Sequence, residues 1–320
     1  MDIDYSVIIR TTGKAGEKYR KLLNSIDALE PKPREVIVVL PEGYDFPEDQ
    51  LGWETFYFCP KGMVIQRMTG IQKCKTQYAL ICDDDVQFGT DFVQKLHVPI
   101  ERGLGRLSIA PLYSFLPQKG LREMVDMVLG AGVPAFFRKN RYCSVLRTTG
   151  YSYRRTLDSD QYYETQSAAW TCFYADLDAL RSIDFETEQQ WLDAHGYSAL
   201  DDQTMFFKAW LRGIKTIVVS DAHYEHLDAK TSTRGTREPV LFSGTFNRIV
   251  FWHRYIYSQE KNIAGQAWAR ICFAYYLAIN DIYVSIRGIP SAEKEIRHRA
   301  RKEAKRYLQS DAYRSLPPVR

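Results

Sequence analysis

Cysteine is scarce and scattered. The six residues, at 59, 74, 82, 143, 172 and 272, form no Cys-x-x-Cys pair, so no disulfide framework is implied and reduced cytosolic thiols are expected. The opening MDIDYSVIIR lacks the basic start and apolar core of a secretory signal, and no signal peptide is expected. No stretch reaches the ~18 uninterrupted apolar residues of a membrane span. Strong charge of one sign is missing too. The net charge is only +4, and residues 291–306, with seven Lys or Arg against three Glu, carry all of it. A near-neutral body argues against an enzyme with a basic face for binding duplex nucleic acid, and for a local basic tail. There is no internal repeat and no low-complexity segment. A cytoplasmic globular protein of one large domain or two small ones is expected.

Aromatic residues are plentiful, at 13% with 21 Tyr and 6 Trp, which suits a packed core or contacts to sugars and proteins. Tyr5–Ile9 (YSVII), Glu35–Leu40 (EVIVVL), Phe56–Phe58 and Tyr78–Cys82 (YALIC) predict strands. Between them, Tyr19, Leu22, Leu23, Ile26 and Leu29 predict a helix over 17–29 that Pro31 and Pro33 end, and Val64–Cys74 predicts another. This alternation means βαβ units and a mostly parallel sheet, whose ligands lie beyond the carboxyl ends of strands. Residues 113–166 lose periodicity and mix basic with aromatic residues, as in Phe136-Phe137-Arg138-Lys139, and read as long loops or an insertion. Regular patterns return at 168–183, at 202–211 and in the strand Thr216–Val219. The expected division is an α/β domain over 1–228 and a helical region with a basic tail over 229–320. In the latter, Thr231 to Glu238 reads as a linker. Trp268, Ile271, Tyr275, Ile279, Ile282 and Ile286 form one helical stripe, stopped by Gly288 and Pro290 before a basic helix over Ser291–Gln309.

Three consecutive carboxylates, Asp83, Asp84 and Asp85, stand where the fourth strand ends. Neighbouring like charges cost on the order of 1 kcal/mol per pair even in water. On a continuing strand Asp83 and Asp85 would face the same way, roughly 6.5 Å apart, with Asp84 opposite. Two acids so spaced suit a split role, one holding a hard divalent ion such as Mg²⁺ or Mn²⁺ and one a hydroxyl of the same ligand. A solvated strand end is the plainer reading. Asp201 and Asp202 open an amphipathic helix, where they serve either the helix dipole or general-base chemistry. His223 and His226, after the strand Thr216–Val219, are candidate metal or phosphate ligands, or structural hydrogen-bonding residues.

Taken together, these residues resemble the family 2 glycosyltransferases of the GT-A fold over roughly residues 4–228. Ser6–Gly13 occupies the family's first strand and turn, keeping one Thr, Thr11. Glu35–Gly43 replaces the strand that normally ends in Asp-Asp-Gly-Ser, with only Glu42 left to approach the nucleotide base. Gln66-Arg67-Met68-Thr69-Gly70-Ile71 matches the Ala-Arg-Asn-x-Gly-Ile helix and implies that Arg67 lies near the diphosphate. Asp83-Asp84-Asp85 matches the Asp-x-Asp motif, implying donor contacts for Asp83 and Asp84 and a metal contact for Asp85. Asp201-Asp202, followed by Lys208 and Gly213, matches the Glu-Asp helix with Lys in place of Arg, and Asp202 inherits the role of base. His226 is the better match to the histidine that completes the metal site, with His223 second. Trp170 is placed to stack on an acceptor sugar, or in the core.

The resemblance implies a mixed, mostly parallel Rossmann-like sheet with helices on both faces. The implied activity is metal-dependent, inverting, hexosyltransferase-like transfer from a nucleotide diphosphate sugar, a UDP-sugar first, to a glycan or lipid-linked acceptor in polysaccharide or glycoconjugate synthesis. Two other readings remain open at this point: a nucleotidyltransferase on a similar sheet, which would release pyrophosphate, and a sugar-binding or scaffold protein that has lost catalysis. The C-terminal stripe and tail suit a helical cap, a homodimer contact, or peripheral attachment at the inner face of a membrane.

Overall fold

The computed structural model describes residues 3–112, 141–154, 157–158, 160–228, 237–286 and 288–320. The tetrapeptide at 136–139 and most of the expected linker after Asp228 lie outside the described residues. The strands are β1 (Tyr5–Arg10), β2 (Glu35–Pro41), β3 (Thr55–Cys59), β4 (Tyr78–Asp83), β5 (Val86–Phe88), β6 (Leu107–Ile109), β7 (Cys143–Val145), β8 (Ser152–Arg154), β9 (Tyr162–Thr165), β10 (Cys172–Asp176), β11 (Thr216–Val219) and β12 (Tyr224–His226). The helices are α1 (Glu17–Asp27), α2 (Met63–Lys73), α3 (Phe92–Glu101), α4 (Leu177–Ser182), α5 (Gln189–Leu192), α6 (Asp201–Leu211), α7 (Arg237–Phe251), α8 (Ile263–Ile286), α9 (Ser291–Gln309) and α10 (Asp311–Arg314).

Eight strands form one sheet in the order β3-β2-β1-β4-β10-β6-β11-β9. The first four are mutually parallel, β10 runs antiparallel to both β4 and β6, β11 is parallel to β6, and β9 closes the edge antiparallel. Alternation along β1 shows how the layers arise. Val7 and Ile9 join one buried cluster with Leu22 and Ile26 of α1 and Phe92 and Leu96 of α3, while Ile8 joins the other with Met68 and Ile71 of α2. The second cluster continues through Met205 and Phe206 of α6 into Phe246, Phe251, Phe273, Ala300 and Ala304, so the C-terminal helices pack on this face of the sheet.

The α/β half follows its hydrophobic periods to within a residue or two. Three elements differ from expectation. Pro99 sits in the last turn of α3, which masked that helix in the sequence. The region 168–183 divides into β10 and α4, where the Asp176 carboxylate accepts from the Ala179 N–H at 2.9 Å and starts the helix. The segment read as irregular contains β7, β8 and β9 in its described part.

Lys208 does not take a place near the acids. Fully buried, it donates to Glu188 at 2.9 Å, and Arg254, from a π-helical turn over 252–256, donates to both oxygens of the same carboxylate at 2.8 Å. Burial alone would raise the Glu188 carboxyl, but Arg254 and Lys208 outweigh it and hold it at about 2, against an ordinary 4.5. A depressed carboxyl stabilises the fold above its unfolded value and loses that contribution as pH falls through its folded one. Glu188 is therefore expected to contribute about 3 kcal/mol at neutral pH that disappears between about pH 4.5 and 2. Denaturant unfolding across that window checks it. A Glu188→Gln protein showing the same acid loss as the parent would refute it.

Candidate functional site

Six chain segments meet at the carboxyl ends of β1 and β4. Parallel pairing in register sets Arg10 opposite Asp83. The Arg10 guanidinium contacts both oxygens of the Asp83 carboxylate at 3.1 Å. Arg67 reaches it from α2 at 2.8 and 3.2 Å. A second Arg67 nitrogen is ion-paired with Asp201 at the start of α6. Arg67 is 3% exposed, and it also donates to the Trp170 carbonyl at 3.2 Å while its guanidinium lies 4.7 Å from the Trp170 ring centre. One buried cation thus ties β4, α2, α6 and the segment before β10 together.

Local structure explains why Arg67 can reach. At the N-terminus of α2, the Asp193 carboxylate accepts from the Val64 and Ile65 N–H groups, each at 3.1 Å. Gly70 lets the helix lie against β1, because a Cβ there would collide with the Ile8 side chain. Gln66 donates to the carbonyls of Thr11 and Val39 at 3.0 and 3.1 Å, pinning the helix over two strand ends.

The three aspartates do not continue as a strand. β4 ends at Asp83, and Asp84 and Asp85 form the turn into β5. The expected alternation therefore stops at Asp83, and each carboxylate has its own partner. Asp84 accepts from the Thr11 hydroxyl at 2.6 Å. Asp85 lies 3.3 Å from His226 Nε2, which β12 delivers by pairing antiparallel with β5 so that His226 stands opposite Val86. Lys18 of α1 holds the chain just beyond, donating to the carbonyls of Leu227 and Asp228 at 2.6 Å. His223 is exposed in the turn before β12.

Burial and charge set the protonation of this cluster. Burial would raise the Asp83 carboxyl, but the two guanidiniums outweigh it and hold it below the ordinary value. Asp84 has Arg10 and the Thr11 hydroxyl to offset its burial only in part, and it is pushed up to about 6. Burial likewise pushes Asp201 up to about 6 against the pull of Arg67. The hydrogen bond that His226 donates to the Asp85 carboxylate raises it above an ordinary histidine, against its own partial burial. Five carboxylates, counting Asp202, face two guanidiniums, which leaves an excess of negative charge for a cation to neutralise.

A raised carboxyl stabilises the fold below its unfolded value and loses that contribution as pH rises through its folded one. The ligand-free protein is therefore expected to lose stability between about pH 4 and 7 through Asp84 and Asp201. Asp84→Asn, which still accepts from Thr11, should recover about 1–3 kcal/mol at pH 8 and nothing at pH 4. Melting curves at both pH values measure this, and an equal change at both would be wrong for it.

Asp202 is half-buried, with one oxygen accepting from its own helix at Gln203 N–H, 2.6 Å away. The residue before the pair, Leu200, takes the left-handed conformation at φ 69°. This costs a branched side chain roughly 1–2 kcal/mol, and the bend starts α6 at the two acids. Trp170 is 2% exposed and packs edge-on against Phe173 and Phe185 beneath Arg67, so its ring supports the guanidinium instead of lying open to a sugar. Glu42 is exposed in the turn after β2, where its N–H bonds the Cys59 carbonyl at 2.8 Å. Arg10 went unread in the sequence. Its only signal is its place as last residue of β1, one strand over from Asp83.

Known structures share this overall fold. TarS of S. aureus, residues 1–349, superimposes with a TM-score of 0.51 at 17% identity, over 93% of this chain and 79% of that one. GalNAc-T7, crystallised with UDP, GalNAc and Mn²⁺, superimposes with a TM-score of 0.54 at 16% identity, over 99% of this chain and 58% of its own length. The chain has the GT-A fold. The TarS fragment in complex with UDP-GlcNAc matches equally well, at a TM-score of 0.51 and 16% identity over 98% of this chain and 82% of that one. The chain spans less than two thirds of GalNAc-T7. No family model matches it, and no curated protein matches it in sequence. On this sheet Asp83, Asp84 and Asp85 occupy a strand end of the kind where ligands of open α/β sheets bind.

Among the described residues no three His, Cys, Asp or Glu side chains gather closely enough to cage a metal ion. Asp85 and His226 nonetheless suit a divalent ion that arrives with its ligand. Their side chains approach to 3.3 Å and keep exposures of 10% and 22%. A Mg²⁺ or Mn²⁺ shared with substrate phosphates needs only one or two protein donors.

Proposed function

We propose that this chain is a glycosyltransferase that moves a sugar from a nucleoside diphosphate donor, a UDP-sugar first among them, to an acceptor hydroxyl with inversion at the anomeric carbon. The observation that carries this reading is the Arg67 hub on a GT-A sheet. It fixes the start of α6, with Asp202, relative to the acidic turn after β4. Asp202, the less buried acid of its pair, takes the proton from the attacking hydroxyl. Asp201 is engaged with Arg67 and positions the guanidinium. Thr11 and Asp84 shape the donor side, Asp83 anchors both arginines, and Glu42 lies at the nucleotide end. Asp85 and His226 would hold the Mg²⁺ or Mn²⁺, which when bound would neutralise charge developing on the diphosphate leaving group. The acceptor class is a glycan or lipid-linked saccharide, and the six buried free cysteines favour a cytoplasmic setting. Among the described residues no helix is long and apolar enough to cross a membrane.

The test is a panel of nucleotide sugars, with and without Mn²⁺, read first by thermal stabilisation and then by products. A ligand at 100 times its dissociation constant adds about 2.7 kcal/mol of stability. The expected result is metal-dependent stabilisation by one donor, followed by release of a nucleoside diphosphate. Release of pyrophosphate would transfer the site to nucleotidyl chemistry. Binding without turnover against any acceptor would leave a sugar-binding protein.

A further inference from the structure

A cavity of about 420 Å³ opens at the far end of α6, away from the acids. It lies between the last turns of that helix, the loop joining β7 to β8 and the chain leading into α8. Trp210, on its wall, stands about 12 Å of helix rise beyond Asp202. The volume is that of a small-molecule pocket. Its apolar lining is Phe207, Trp210, Tyr255 and Ile256.

The polar lining is almost all donor. Arg141, Arg147, Lys261 and Arg320 meet a single carboxylate, Glu260. Arg147 pairs with that carboxylate at 3.4 Å, and the Arg141 guanidinium stacks 4.2 Å from the Trp210 ring centre. Among the described residues neither Lys261 nor Arg320 has an ion pair. The excess is two positive charges even with a terminal carboxylate on Arg320 counted. Residues 291–306 account for the net charge of the chain, so an otherwise neutral body concentrates cations here. Gln166 points the same way independently. It is 5% exposed, and its amide oxygen accepts from the Val145 N–H at 2.9 Å. That bond orients the amide, whose nitrogen has no partner among the described residues. A buried donor without a partner costs free energy that an acceptor oxygen from a ligand restores. Arg and Lys donate only. The matching ligand is therefore an anion rich in acceptor oxygens, on a carbon frame that lies against aromatic side chains. A phosphate monoester, with about −1.5 to −2 charge at pH 7, balances the excess, which one carboxylate would only half neutralise.

We propose that this cavity binds an organic phosphate of sugar size, at a site separate from the acidic cluster. The proposal stands whether or not Asp202 and the acids after β4 transfer a sugar. Titration calorimetry of the full chain with glucose 6-phosphate should give a dissociation constant below about 1 mM, and glucose should not bind at that concentration. Lys261→Glu should weaken the binding at least about 10-fold. Gln166→Glu keeps the acceptor for the Val145 N–H but loses the amide donors, and should do the same. Lys302→Glu, on the basic helix α9, should leave the affinity within about two-fold. Lys261 is exposed, so its variant decides the case even where Gln166→Glu fails to fold. Absence of binding overturns the proposal, as does glucose binding as tightly as its phosphate. Affinity indifferent to Lys261→Glu, or lost equally with Lys302→Glu, overturns it as well, since the anion would then be held elsewhere or by diffuse charge. Phosphatidylglycerol vesicles captured through Lys261, with no response to the soluble phosphate, would overturn it in favour of a lipid headgroup.

Discussion

Replacing Asp202 with Asn is expected to lower the transfer rate by about 10²–10⁴, the usual contribution of a general base, with little change in melting temperature. The amide keeps the oxygen that accepts from the Gln203 N–H, so the first turn of α6 is preserved. It cannot take a proton. Donor binding should survive, since Asp202 is assigned to the acceptor side, and kcat should fall more than the donor affinity. The neighbouring acid separates the alternatives. Asp201 is 7% exposed and already receives an Arg67 N–H. If Asp201→Asn proved the more damaging to kcat while Arg67 stayed in place, and Asp202→Asn left the rate within a few-fold of normal, the roles would be reversed and the proposed chemistry would need another base.

Removing Arg67 has the largest expected effect on the fold. Arg67→Met matches much of the volume but leaves Asp201 without its guanidinium and Asp83 with Arg10 alone. Breaking a buried ion pair by deleting one partner costs about 3–5 kcal/mol, because the remaining charge stays out of water. The sign of the pH dependence follows. Without Arg67 both carboxyls rise, so the variant suffers most at neutral pH, and the gap to the parent narrows as acid protonates them. Unfolding midpoints at pH 8 and pH 5 should therefore differ less between the two proteins at the lower pH. A deficit that stayed constant across that range would mean that lost packing on Trp170, and not charge, accounts for it. Arg67→Lys should not rescue, since an ammonium cannot serve Asp83, Asp201 and the Trp170 carbonyl from three directions at once.

Much of the α/β frame could be read from residue patterns because each element there obeys its own period. The apolar runs of β1, β2 and β4 are buried on both faces, and α1 and α2 show one apolar stripe each. What the patterns hid were elements whose making is not local. β5 and β12 are three residues long and exist by pairing with each other, and Pro99 disguised α3.

The same division runs through the site. By itself, the sequence determined that acids close the fourth strand and open a helix near residue 201, and that an Arg stands on α2, because strand ends and helix starts are local events. Only the tertiary structure decided how those charges coexist. It gave Asp83 two guanidiniums, Asp84 a hydroxyl and Asp85 an imidazole, buried Trp170 under Arg67, and sent Lys208 away to Glu188. Partnering of charges depends on distances between segments far apart in the chain, and a carboxylate in the sequence looks the same whichever cation the fold brings to it.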